Sequence, residues 1–153
     1  MTATPTYTPT PSPTPTATPA PRPARPLNAA GTVGLGVYTQ GVPYDGFSSV
    51  FAFERLAQHR TAYVLWFQAW GDSDSAFARE QIAAAHSAGL TPVITWEPWQ
   101  RNFANPVATQ PDYTLQAIAS GTRDDYIRSW ARGARDLRGP IIIRFAHEQS
   151  TEP

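Results

Sequence analysis

Between residue 27 and residue 153, short apolar runs alternate with segments in which apolar residues recur every three or four positions. The apolar runs are bounded by Gly, Pro or polar residues and predict buried strands, whereas the longer spacing predicts amphipathic helices. The predicted strands are 32–39, 62–70, 90–96 and 140–146. The predicted helices are 47–60, 75–88 and 122–137.

The order is therefore strand–helix three times over, followed by a fourth strand. This order predicts right-handed βαβ units and a parallel sheet. A doubly wound sheet and a (β/α)8 barrel both have this order, and periodicity alone does not choose between them.

Gly89 is placed to end the second helix. Thr122 is a candidate N-cap for the third, with Asp124 and Asp125 at the positive end of its dipole.

The first 26 residues have a different composition, with nine of the 16 prolines and eight threonines. Proline at nearly every second position removes amide donors and fixes φ, so 1–26 is expected to be a disordered, polyproline-II-like linker. Residues 27–153 form the one expected domain. A Pro/Thr tract either joins modules or carries sugars outside the cell, so we expect an upstream module and a secretory signal in a longer parent. A plain disordered tail is the alternative.

Composition excludes several classes of function. The formal net charge is zero and there is no basic run, so a nucleic-acid partner is not expected. No stretch approaches the ~20 apolar residues of a membrane span, and the N-terminus lacks the pattern of a secretory signal. There is no Cys and no HxxxH pair, so we expect no thiol nucleophile, metal or cofactor. No Gly-rich phosphate loop follows the first strand.

Two carboxylates stand at predicted strand ends, where parallel α/β enzymes build their sites. Glu148 lies beside His147 and Arg144, neighbours that can tune its pKa for work as a general acid. The alternative is a buried Arg–Glu pair that closes the sheet. Glu97 either contacts substrate or accepts hydrogen bonds from the loop backbone.

Four of the five tryptophans lie at the ends of the second and third strands. Flat aromatic faces near carboxylates suit the stacking of sugar rings, although core packing explains any single one. The four are Trp66, Trp70, Trp96 and Trp99. Trp130 lies on a helical stripe and is expected in the core.

The segments GVYTQG, FQAW, ITWEPW, SGTRDDYIRSWA and IIIRFAHE together resemble glycoside hydrolase family 26. That family consists mostly of endo-β-1,4-mannanases, with some β-1,3-1,4-glucanases and β-1,3-xylanases. The resemblance implies a (β/α)8 barrel and a retaining mechanism with two glutamates. It assigns Glu148 as the acid/base at the end of strand four. It assigns His147 as a partner that contacts substrate or nucleophile, and Arg144 as an orienting residue.

The chain departs from the family after Glu148, where it reads QSTEP instead of Met-Asn-Gly-x-Trp. The family's nucleophile lies at the end of strand seven, and a complete barrel takes about 250 residues. We therefore expect a barrel truncated to its first four strands, from a secreted enzyme that cleaves β-linked, mannan-like polysaccharide. Alone it is expected to be inactive. It should also be marginally stable, prone to aggregate at its edge strands, or dependent on a second copy or a missing C-terminal half. The inward faces of Val64, Val93 and Ile142, or of their neighbours, would then lose half of their barrel partners. The alternative function is a non-catalytic carbohydrate-binding remnant that uses the four tryptophans.

Overall fold

The computed structural model describes residues 33–101 and 109–147. The predicted linker at 1–26 and the candidate acid Glu148 lie outside these residues. The strands are β1 (Gly36–Val37), β2 (Tyr63–Ala69), β3 (Thr91–Glu97) and β4 (Ile142–Phe145). The helices are α1 (Ser48–Ala57), α2 (Arg79–Ser87), α3 (Leu115–Ala119) and α4 (Asp124–Arg135), with a 3-10 turn at Pro111–Tyr113.

The fold is α/β with a four-stranded, all-parallel sheet, as the alternating pattern predicts. The strands lie side by side in chain order, β1-β2-β3-β4, with β1 and β4 at the edges. β2 and β3 pair along seven residues each, whereas β1 pairs with β2 through only Gly36 and Val37. The first strand is thus much shorter than the predicted 32–39, since a Gly-rich edge strand with one neighbour forms few ladder bonds.

One face of the sheet carries the core. Val64 and Trp66 of β2 and Ile94 of β3 point to this face, because successive residues alternate sides and paired residues share a side. They form one apolar cluster with buried side chains from α1, α2 and α4. The helical members are Val50, Ile82, Ala85 and Trp130. All three long helices therefore cover the same face.

The opposite face is turned away from the three long helices, and we call it the open face. Leu65, Val93 and Ile142 are aligned across it from β2 to β4. Leu65 and Val93 are partly buried, and Ile142 is 37 % exposed. Val64 itself is fully buried under the helices, and its neighbour Leu65 takes the open side together with Val93 and Ile142.

The helix ends follow partly from the expected local signals. Gly89 adopts φ +73°, and the N–H of Leu90 donates to the carbonyl of Ala85 at 2.9 Å, so a glycine ends α2 as predicted. Asp124 lies in the first turn of α4, also as predicted. Thr122 was the wrong N-cap, because α4 begins after Arg123 without a capping side chain.

Candidate functional site

The carboxyl ends of β3 and β4 bring two of the predicted site residues together. Glu97 is the last residue of β3, and His147 follows β4 by two residues. Between them, the amide of Ala146 donates to the carbonyl of Trp96 at 3.1 Å and continues the ladder past the end of β4. His147 Nδ1 then lies 3.5 Å from Glu97 Oε1. The sequence placed both residues at strand ends, and the parallel pairing joins them.

Both members of this pair are largely shielded from water. The side chain of His147 is 16 % exposed and that of Glu97 is 11 % exposed. Low exposure strengthens the attraction between a carboxylate and a protonated imidazole, since solvent screens the charges less. Carboxylates and imidazoles are the side chains that most often serve in general acid–base catalysis. The structure thus brings together two residue types suited to such a role.

Two aromatic rings border the pair on the open face. The Phe67 ring centroid lies 5.5 Å from that of His147, and Tyr38 packs edge-on against Phe67 at 5.4 Å. Phe67 is 39 % exposed and Tyr38 is 57 % exposed. Sequence reasoning missed both rings as site residues. The alternation of strand residues was the available signal, because Phe67 must face the side opposite to Trp66.

Arg144 lies on the open face as well. It is paired in register with Thr95, which is paired with Phe67, so the three residues form one row across the sheet. Glu97 lies two residues beyond Thr95 and shares its face. Arg144 is exposed, whereas Thr95 is fully buried and its hydroxyl has no hydrogen-bond partner in the described residues. The row places a cation and an unsatisfied hydroxyl near the Glu97–His147 pair.

Two of the four tryptophans predicted to form a stacking surface are buried. Trp66 and Trp70 are only 3 % and 4 % exposed, so neither presents a ring face on which a sugar could stack. Trp96 is partly buried and packs against Trp70 and Trp130 with ring centroids 4.6 and 5.0 Å apart. These indoles turn to the helix-covered side of the sheet. Trp99, in the loop after β3, is partly buried and is the remaining candidate. Trp130 is a core residue, as predicted.

Tyr126 of α4 holds this aromatic cluster in place. Its hydroxyl donates to the carbonyl of Ser75 at 2.8 Å and accepts from Trp96 Nε1 at 3.1 Å. Burial raises the pKa of Tyr126 to about 12, against a lowering by the Trp96 hydrogen bond. The phenol therefore stays protonated and acts as a structural link between α4, β3 and the loop after β2.

A second polar feature, also missed from the sequence, is a groove between the loops that follow β1, β2 and β3. Its volume is about 560 Å³, and Tyr44, Asp72, Asp74 and Arg101 lie along it. Tyr44 donates to Asp74 Oδ2 at 2.8 Å, and Arg101 pairs with Asp72 at 3.2 Å. Burial and the neighbouring Asp74 raise the pKa of Tyr44. These side chains are far apart in sequence, so no local pattern links them.

Neither a metal site nor a membrane-spanning helix emerges from the described ranges. No three His, Asp or Glu side chains in 33–101 and 109–147 lie close enough to hold a metal ion. None of the helices found there is both long enough and apolar enough to cross a bilayer.

No protein-family model, curated protein or solved structure matches this chain.

Proposed function

We propose that this chain forms part of a retaining glycoside hydrolase that acts on β-linked, mannan-like polysaccharide. The observation that carries the proposal is the contact between Glu97 and His147 at the carboxyl edge of the parallel sheet, with Phe67 beside it. A shielded carboxylate–imidazole pair next to an exposed ring supplies proton chemistry and an apolar contact for a sugar. The resemblance of the strand ends to glycoside hydrolase family 26 supports the same assignment.

We further propose that the four strands belong to a (β/α)8 barrel. Strands in a barrel follow chain order around the ring, and all helices lie outside it. A doubly wound sheet instead reverses its order at a switch point and has helices on both faces. The order β1-β2-β3-β4 and the single helix-covered face both favour the barrel. The open face would then be the barrel interior.

In this proposal each polar residue at the edge has a defined role. Glu148, which follows His147 directly, protonates the leaving oxygen, as the family resemblance implies. His147 bridges toward Glu97 and orients the acid or contacts substrate, and Arg144 supplies a positive charge to the same edge. A retaining mechanism needs a second carboxyl about 5–5.5 Å from the first, on the other side of the scissile bond. Residues outside the four described strands would supply it.

The Pro/Thr-rich segment at 1–26 fits a linker that tethers this domain to a further module outside the cell. We therefore propose that the parent protein is secreted and that its substrate is a plant-type polysaccharide. Mannan is the first candidate, and β-1,3-1,4-glucan and xylan are the alternatives within the same family.

Binding and turnover test the proposal separately. We expect galactomannan in a native gel to retard the wild-type chain, and we expect Glu97→Gln and His147→Ala to lose that retardation. Glu80→Gln is the matched control, because Glu80 is an exposed carboxylate in the first turn of α2, away from the strand ends. No retardation of the wild type by mannan, β-glucan or xylan would contradict the proposal.

Release of reducing ends from the same polysaccharides measures turnover. Substitution of a general acid lowers the rate by about 10²–10⁴-fold, so any turnover should fall by that factor in Glu148→Gln. Binding without turnover indicates that the second carboxyl lies outside this chain. Turnover that Glu148→Gln leaves unchanged would contradict the assigned acid.

A further inference from the structure

The open face and the two edges of the sheet leave strands without a partner among the described residues. β1 pairs only with β2, and β4 pairs only with β3, so each edge strand has one unpaired side there. The row Leu65, Val93 and Ile142 gives the open face an apolar centre. Ile142 and Phe67 are 37 % and 39 % exposed. Free strand edges beside apolar surface favour association with another chain.

The open face has few charged residues, and they lie at one end of it, where they do not oppose association. Only Glu97 and Arg144 among its strand residues are charged, and both lie toward the carboxyl ends. The other strand residues on this face are Gly36, Tyr63, Leu65, Phe67, Ala69, Thr91, Val93, Thr95 and Ile142. A partner that covered Leu65, Val93 and Ile142 would therefore bury apolar side chains. The two charges would stay near the carboxyl ends of the strands, which form the mouth of the barrel.

The two edges are complementary to each other. All four strands run in the same direction, so a two-fold axis parallel to them keeps that direction in a second copy. Such an axis sets β4 of each copy beside β1 of the other, in the parallel sense. The dimer then has two seams, each a contact between β4 of one copy and β1 of the other, and the two seams are identical. Four strands are half of the eight that close into a barrel whose interior is filled by side chains, and two copies supply the whole ring.

We propose that this chain forms a two-fold symmetric dimer in which a second copy covers the open face and β4 of each copy pairs with β1 of the other. This arrangement places the Glu97–His147 pairs of both copies at one common mouth, so the site is incomplete in a single copy. The inference rests on the barrel of the proposed function, with a second copy in the place of a C-terminal half. Mass and cross-linking test the dimer without any polysaccharide, whereas polysaccharide binding tests the proposed function, so the two can fail separately.

Mass and cross-linking test the dimer directly, with the full chain. Light scattering after gel filtration should give twice the mass of the chain. Because the protein has no cysteine, paired substitutions report the seam without background. Val37 and Phe145 lie on the edge strands and share the helix-covered face. Within one copy the edge strands are three strand spacings apart, roughly 14 Å. A disulfide needs Cα atoms within about 7 Å, so a bond between these strands must join two copies.

The double variant Val37→Cys/Phe145→Cys should therefore yield a covalent dimer on oxidation. Val37→Cys/Ile143→Cys tests a second register between β1 and β4, since Ile143 lies two residues before Phe145 and on the same face. Each single substitution is the control and should stay uncross-linked, because a two-fold axis keeps like strands apart. A monomeric mass overturns the proposal. Polymers without a defined mass also overturn it, since a closed ring has no free edge. A dimer in which neither double variant cross-links overturns the edge pairing.

A charge on the open face tests which surface is covered. Ile142→Arg should raise the dimer dissociation constant by at least about 100-fold, because the guanidinium would be buried without a partner. Leu56→Arg is the matched control: Leu56 is 86 % exposed on α1, so the dimer should persist. Circular dichroism checks that both variants fold. If Ile142→Arg does not fold, the mass of the wild-type chain and the cross-linking of the cysteine variants still test the dimer. A folded Ile142→Arg that dimerises as tightly as wild type overturns the proposal.

Discussion

The two faces of the sheet are built from alternate residues of the same strands, and they differ most clearly at two neighbouring residues of β2. On β2, Trp66 points toward the helices and is 3 % exposed, whereas the next residue, Phe67, points to the open face and is 39 % exposed. Both are large aromatic residues in one nearly continuous apolar run. The helices decide the difference, because α1, α2 and α4 all pack on the side of Trp66.

The two faces also differ in the kind of residue they carry: core residues lie on one and candidate site residues on the other. The helix-covered face holds the apolar cluster and four of the five tryptophans, namely Trp66, Trp70, Trp96 and Trp130. The open face holds Glu97, Arg144 and Phe67, with His147 at its edge. The side of the sheet on which a residue lies thus separates the tryptophans of the core from the candidate site residues. Variants on each side can test this division.

The largest effect is expected from the adjacent aromatic pair on β2. Trp66→Ala should lower the free energy of unfolding by about 3–5 kcal/mol, since it leaves a cavity in the core. Phe67→Ala should cost about 1 kcal/mol, because its ring is already partly in water. Urea denaturation followed by circular dichroism at one protein concentration measures both. Equal losses would contradict the division into a core face and an open face.

A smaller effect is expected at Glu54, a buried carboxylate in the helical layer. Glu54 Oε1 accepts from the amide of Thr61 at 2.8 Å and from its hydroxyl at 2.9 Å, and Thr61 is only 4 % exposed. Glu54→Ala should cost about 1–3 kcal/mol, because it leaves the Thr61 donors buried without this acceptor. Glu80→Ala, at an exposed position, should stay within about 0.5 kcal/mol of wild type. The same urea experiment applies, and matched losses would argue against the Thr61 contact.

The smallest effect is expected at Asp45, in the loop between β1 and α1. Asp45 accepts from the backbone amides of Phe47 and Ser49 at 2.9 and 3.1 Å. Partial burial would raise the pKa of Asp45, but the hydrogen bonds from Ser49, Phe47 and Ser48 outweigh it and lower this pKa below 3.8. Asp45→Ala should therefore cost about 0.5–2 kcal/mol at pH 7, like the loss of a helix cap.

The lowered pKa also gives this effect a defined pH dependence. The charged form is favoured in the folded state, so its stabilisation is fully present above the unfolded pKa of 3.8 and is lost as pH falls through the lower folded value. The difference between wild type and Asp45→Ala should shrink below pH 3.8. Asp45→Asn, which keeps an acceptor, is the control and should lose less at pH 7. A difference that is constant with pH would contradict the role of the charge.

Periodicity predicted most of the fold. It gave four strands and three long helices in the observed order, because strands buried between layers and amphipathic helices leave strong local patterns. α3, with five residues, and the 3-10 turn at Pro111–Tyr113 were missed, since elements this short do not complete a periodic pattern. The start of α2 was placed four residues early, at Ser75. Local spacing does not distinguish the loop after β2 from the helix that follows it.

The candidate site was predicted less completely. Glu97, His147 and Arg144 were placed correctly on strands or at strand ends, because the end of a parallel strand is visible in the sequence. Their contacts were not, since the 3.5 Å approach of His147 to Glu97 depends on the register between β3 and β4. Trp66 and Trp70 were assigned to a binding surface because they lie near strand ends. Their burial depends on which way the strand is turned toward the helices.

The sequence by itself determined the order of elements, the parallel sheet and the residue types at the strand ends, because these depend on local hydrophobic period and on the right-handed connection between strands. Only the tertiary structure decided the strand order, the single face that all long helices cover, and the side on which each aromatic lies. Those features depend on contacts between residues far apart in the chain, and such contacts leave no periodic trace in the sequence.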